Sequence, residues 1–335
     1  MARRNLLSDF KWLLLLGVVG LLITLAFAET QSQVVVATWI VLGLGMVVAI
    51  AVNFPTRFFS KLMPPVWRVA RATFHESWRR RFLNSILVFA LLIILSSWTL
   101  AYLSPGAELK MLIDIGLGAC RFFGLLIAVF LGTRLIADEM ERRTIYTLLA
   151  KPVTRSQFLF GKFLGGYATV FANVAVMGLA FYIVFLIKAP QFHKLSSETL
   201  DTTLHMEFMY GNIVKAIGLI LVEQMVLVAL AVTASTVFSW ILASIFSFFV
   251  YFVGQMSDFF RQLSDPGQGA SKAAQILLGT IYRVLPHFEI FDIREKILKD
   301  ELVPWDTLTK HGLQGLLYVV IILLIGYLFF NEREV

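Results

Sequence analysis

The chain has 335 residues, of which 58% are hydrophobic and 15% charged, with 30 Phe against 22 acidic side chains. An average soluble domain carries roughly 25% charged residues, so composition argues against a soluble enzyme, a coiled coil and a disordered chain. The net charge is +7, and the single cysteine, Cys120, excludes an intramolecular disulfide and a multi-cysteine metal site.

A helix needs about 20 mostly apolar residues to span the ~30 Å hydrocarbon layer of a bilayer. Eight stretches approach that length: 12–28, 34–52, 83–103, 113–135, 164–187, 213–234, 239–256 and 313–330. Arg3, Arg4 and Lys11 precede the first, and Ala26-Phe27-Ala28 fits a signal-peptide cleavage site. Its apolar run exceeds the usual 7–15 residues of a signal peptide, which favours a retained helix. The first two spans then form an N-terminal transmembrane hairpin within residues 1–60.

Residues 61–82 follow as a separate amphipathic segment. Trp67, Ala70, Phe74, Trp78 and Phe82 recur every three or four residues, beside Arg68, Arg71, His75 and Arg79. Pro64 and Pro65 mark an N-terminal boundary. The pattern predicts a helix lying in the cytoplasmic membrane interface, aromatics among the lipid tails and arginines such as Arg71 and Arg79 at anionic headgroups. A soluble basic helix on RNA or a partner protein is the alternative, disfavoured by the direct junction to a span at Leu83.

Two later spans carry charges, Arg121 in one and Lys215 with Glu223 in another. Arg121 lies about 12 Å and Glu223 about 15 Å from the same face at 1.5 Å per residue, so the two can pair. Such a pair would hold two helices together or line a substrate route. Lys215, near its span's end, is expected to snorkel outward. Ser235 to Ser239 read as a tight turn at a membrane face, and 257–312, with balanced charge, as a solvated outer segment. Spanning backbone must satisfy its own hydrogen bonds, so the expected fold is an all-α integral membrane bundle of about eight transmembrane helices.

Loops alternate in charge. The set 1–11, 53–82, 134–163 and 332–335 holds 17 of the 29 basic residues and only 7 acidic ones. By the positive-inside rule it faces the cytoplasm, and both termini lie there.

Residues 138–162 contain Asp138-Glu139-Met140-Glu141-Arg142-Arg143, then Lys151-Pro152. This predicts a helix leaving the membrane, a break at Pro152, and a returning helix that Thr154 and Gln157 cap. A stiff charged elbow of this kind could transmit force to a cytoplasmic partner, and an inert loop would read the same.

The acidic run followed by Thr144, Leu148-Leu149-Ala150, Pro152, Arg155 and Gly161-Lys162 resembles the signature of ABC-2 type permeases, the membrane subunits of a class of ATP-binding-cassette transporters. Leu285-Pro286-His287-Phe288-Glu289-Ile290-Phe291-Asp292 and the ending Phe329-Phe330-Asn331-Glu332-Arg333 are similar to that family too. The resemblance covers roughly 66–335, with Arg143 where the family usually has glycine and with the hairpin 1–60 unmatched. It implies a six-helix transmembrane domain over 83–335 in the bacterial inner membrane. It also implies a homodimer with a second permease copy, and two cytoplasmic ABC ATPase subunits that hold ATP and magnesium. The residues expected to couple ATP hydrolysis to transport are Glu139, Glu141, Arg142, Arg143, Lys151, Pro152 and Arg155. The substrate class expected is amphiphilic, and the direction export.

The chain itself lacks the glycine-rich phosphate loop, since Gly161-Lys162 is followed by Phe163 and has no glycine five residues before it. It is therefore not expected to be an enzyme or to hold a cofactor or metal, although His205-Met206 with Met209 is a weak copper pattern. Membrane lipids are expected contacts, nucleic acid is not, and an outer-side partner at 257–312 stays open. Two other readings remain: an ion-gradient-driven secondary transporter, and a membrane scaffold without transport.

Overall fold

The computed structural model describes residues 64–141, 154–199, 206–264, 285–299 and 301–332, with isolated positions at 278, 280 and 282. Among the described residues there are nine α-helices, one 3-10 turn and no strand. They are α1 (Pro64–Trp78), α2 (Arg81–Ala101), α3 (Glu108–Glu141), α4 (Arg155–Thr199) and α5 (Met206–Val237). Then come α6 (Trp240–Gln255), α7 (Ser257–Ser264), the 3-10 turn Glu289–Phe291, α8 (Arg294–Leu298) and α9 (Trp305–Glu332).

Five of these helices, α2, α3, α4, α5 and α9, are long and apolar enough to cross a membrane. Helices α6 and α7, bent by 56° at their junction, make a sixth when taken together. The expected spans 12–28 and 34–52 fall outside the described residues, so a count of about eight is not reached within them. The backbone reason for the helices is the one read from sequence: uninterrupted Leu, Ile, Ala and Phe, with every internal amide bonded within the helix.

Helix α5 is central. It packs on α3, α4, α6 and α9, and 78% of its membrane window is buried, against 22% for α2 and α9 at the perimeter. The perimeter helices turn large apolar side chains outward, among them Phe89, Leu92, Leu317 and Leu324, as lipid contact requires. The elbow end of the bundle, where α3 stops and α4 starts, also carries α1, the start of α2 and the ends of α5 and α9.

Three local expectations change. First, α1 stops at Trp78 and extended Arg80 separates it from α2, to which Phe82 belongs. The face of α1 turned to the bundle is Val66, Ala70, Thr73 and Ser77, all buried, while Trp78 is exposed. That face lies on α4 at Gly161 and Gly165, where an added Cβ would stand 3.0 Å from the Val66 carbonyl oxygen and 2.4 Å from that of Ala70. Small residues four apart allow such backbone approach, the usual device of membrane helix pairs. Second, the turn after α5 is only Phe238-Ser239, because Ser235 and Thr236 are still helical and bond back to Val232 and Thr233. Third, residues 285–299 and 301–303 are solvated on one side only. Phe288, Phe291, Ile293, Ile297 and Val303 are buried, and Phe288 donates its backbone N–H to Gly254 at 3.2 Å.

Candidate functional site

Two polar centres are built into this apolar frame. The first is the elbow. Thr154 and Gln157 exchange the two bonds of a capping box, the Thr154 N–H donating to Gln157 Oε1 at 3.2 Å and the Gln157 N–H to Thr154 Oγ1 at 3.4 Å. One residue on, Arg155 donates to the carbonyls of Phe330 (3.1 Å) and Asn331 (3.2 Å), putting a cation at the carbonyl end of α9. Glu139, near the end of α3, pairs with Lys162 of α4 at 2.5 Å, and the Lys162 side chain is only 5% exposed. Asp138 accepts from Arg80 at 3.2 Å, and Arg80 also bonds Glu76 of α1 at 2.9 Å.

Of the residues expected to couple, Glu139 and Arg155 are thus engaged with their own chain. Glu141 ends α3, and Arg142, Arg143, Lys151 and Pro152 lie outside the described residues. The residues that sequence missed here are Arg80, Asp138 and Lys162. Lys162 carried a faint signal, a basic side chain seven residues into an apolar returning helix. Of the residues read as interfacial, Trp67 and Phe74 are half-buried, while Arg71, Trp78 and Arg79 are exposed, and Phe74 stacks on Trp78 at 5.7 Å.

The second centre lies where α3, α5, α6 and the 285–294 segment meet. Arg121 Nε donates to both oxygens of Glu223, at 3.0 and 2.9 Å, and Nη2 to Oε1 at 2.7 Å. Nη2 also reaches Gln255 Oε1 at 2.9 Å, and Nη1 bonds Asp292. The Glu223 side chain is fully buried and that of Arg121 is 7% exposed. Arg294 then embraces Asp292 from the far side, through Nη2 at 2.9 Å and its own backbone N–H at 3.0 Å, and touches Asp114 at 3.3 Å. Charges alternate along the line Glu223, Arg121, Asp292, Arg294, Asp114. Burial pushes the Asp292 carboxyl up, but the hydrogen bonds of Arg294 and the charge of Arg121 outweigh it and hold it below its ordinary range. Burial disfavours the Arg294 cation, yet its bonds to Asp292 hold it more firmly protonated than usual.

A chain of this kind can fasten four elements as long as each charge keeps its partner, because one orphaned buried charge is costly. Lys215 is also buried, near the start of α5. Its ammonium donates to the Val303 carbonyl at 2.6 Å and sits 4.7 Å over Trp305, in a side chain that is buried. Among the described residues no three His, Cys, Asp or Glu side chains are gathered to hold a metal ion, and His205 lies outside them.

Comparison with known proteins adds two findings. A family model described as "ABC-2 family transporter protein" matches residues 10–335. Over 124 residues the chain is 33% identical to a Pseudomonas aeruginosa protein named "Probable ABC transporter permease protein NosY". That stretch is 35% of this chain and 43% of the relative, so the chain spans less than half the length of the curated relative it matches.

Proposed function

The chain belongs to the ABC-2 transporter family, and on that premise we propose that it is the permease subunit of an ATP-binding-cassette transporter. In this reading it works as a homodimer beside two cytoplasmic ATPase subunits, which hold ATP and magnesium and hydrolyse the nucleotide. The elbow and both termini face the cytoplasm of a bacterial cell, and an amphiphilic substrate is exported across the inner membrane.

The brace at the elbow is the observation that supports the reading most. Glu139–Lys162, Asp138–Arg80 and the Arg155 bonds to α9 tie the ends of α3 and α4 to their neighbours. A push on residues 138–162 is then shared by α1, α2, α3, α4 and α9, whereas an unbraced loop would absorb it. Closure of the ATPase subunits would press on Glu141, Arg142, Arg143, Lys151 and Pro152, while Glu139 and Arg155 relay the displacement into the helices. The buried chain through Arg121 and Glu223 would keep the far ends of α3, α5 and α6 moving as one body.

The test is reconstitution of the chain with its ATPase subunit in vesicles, measuring hydrolysis and transport separately. Lys162→Met and charge reversal at Glu141 or Arg142 should leave hydrolysis in place and lower transport about tenfold, the scale of an ordinary coupling free energy between sites. Normal transport with Glu141→Arg and Arg142→Glu combined would remove the coupling assignment. Transport that persists on an ion gradient, with no ATPase chain co-purifying, would replace this reading with a secondary transporter.

A further inference from the structure

Two cavities adjoin along the seam between α2 and α3. One, of about 650 Å³, is apolar and is lined by Phe82, Ile86, Phe89 and Ile93 on α2 and by Ala119 and Leu126 on α3. The other, of about 630 Å³, mixes polar and apolar lining, lies at the elbow end, and is bounded by Glu76, Arg80, Arg81, Arg134, Asp138 and Glu139, with Phe82 common to both. Edge-to-face contacts of Phe82 with Phe130 and Phe89 with Phe123, at 5.7 and 5.8 Å, run along the seam.

The acidic groups at the polar end have their cations: Glu76 and Asp138 share Arg80, and Glu139 takes Lys162. Arg81 and Arg134 have no carboxylate partner among the described residues. Arg134 lies 4.5 Å over the Trp240 ring, a cation–π contact that fixes its plane and supplies no carboxylate. Arg80 is shared by two carboxylates, so among the described residues the oily groove ends in one net positive charge, carried by the Arg81 and Arg134 guanidiniums, each able to offer paired N–H donors to a phosphate. From Phe82 to Ile93 the groove is about 16 Å long at 1.5 Å per residue, close to half of the ~30 Å hydrocarbon layer.

We propose that this seam is a binding site for an anionic phospholipid of the elbow-side leaflet, with the phosphate on Arg81 and Arg134 and an acyl chain laid along Phe82 to Ile93. The site stands independently of the permease reading. Charge at one end and apolar length at the other match that ligand, whereas a zwitterionic lipid would bring a second cation to the arginines.

The full chain, extracted in mild detergent from membranes containing equal phosphatidylglycerol and phosphatidylethanolamine, is examined for retained lipid by native mass spectrometry. The unaltered protein should retain phosphatidylglycerol preferentially. Arg81→Gln with Arg134→Gln should weaken that retention about thirtyfold, from two basic groups at an anionic headgroup. Arg81→Gln alone, at an exposed position, should act in the same direction if the double variant fails to fold. Ser85→Trp, which fills the apolar cavity and leaves both arginines, should expel the lipid as well. Equal retention of the two lipids, unchanged retention in the arginine variants, or no bound lipid because protein fills the seam would each overturn the proposal.

Discussion

Replacing Arg121 by Gln removes the one guanidinium that serves Glu223, Asp292 and Gln255 together. Asp292 keeps the bonds from Arg294, at 2.9 to 3.2 Å, so its charge stays compensated. Glu223 does not: its side chain is fully buried and it loses all three bonds from Arg121. The expected cost is that of breaking one buried pair, about 3–5 kcal/mol. Adding Glu223→Gln removes the stranded charge and leaves neutral groups, each lost hydrogen bond then worth about 1 kcal/mol. A double-mutant cycle should therefore return a coupling of about 2–3 kcal/mol, read from unfolding of the purified protein in mixed micelles. A charge swap is the wrong test, because Arg121→Glu sets a carboxylate against Asp292 and Glu223→Arg cannot relieve that contact. A measured coupling under about 0.5 kcal/mol, the value for independent sites, would refute the argument.

Gly165→Val should push α1 off α4, since its Cβ would stand 2.4 Å from the Ala70 carbonyl oxygen; overpacking of this kind costs about 1–3 kcal/mol. A cysteine placed at buried Thr73 should be silent to a maleimide in the parent and react once Gly165→Val is added, and silence in both would count against the close contact. His287 gives a pH test. Burial lowers its imidazole below the ordinary 6.5, even though the backbone of Tyr282 and the charges of Asp258 and Glu289 pull the other way. Between pH 6.5 and the lower folded value, the unfolded chain binds a proton that the folded chain does not, so stability falls as the pH drops through that window. His287→Gln should flatten this part of the melting-temperature profile between about pH 7.5 and 5.5, and an unchanged slope would exclude the histidine as its source.

The spans from residue 83 onward could be read because hydrocarbon thickness imposes a length that hydropathy reports directly. Arg121 and Glu223 can be paired on depth alone, as two opposite charges at one level on helices that enter from the same face. Asp292 and Arg294 could not be added to them, because they sit in a stretch of balanced charge that looks solvated until Phe288 and Phe291 are seen buried beneath it. The buried face of α1 was hidden for a different reason. Thr73 and Ser77 carry almost no hydropathic signal, and the largely aromatic stripe that includes Ala70 points to lipid. What packs there is backbone against backbone, and only the glycines of α4 betray it. The burial of Lys215 is not legible in sequence because its acceptor, the Val303 carbonyl, is 88 residues away in the chain.

The bond from Arg155 to Phe330 joins residues 175 positions apart. At a synthesis rate of about 5–20 residues per second, α9 emerges from the ribosome roughly 10–35 s after the start of α4. During that interval the returning helix can already be capped by Thr154 and Gln157 while its tie to α9 does not yet exist. A chain stalled before Phe330 would thus present an elbow of normal local shape but without the brace, and would yield where the finished chain resists. Translation order therefore makes rigidity at this end depend on the synthesis of α9.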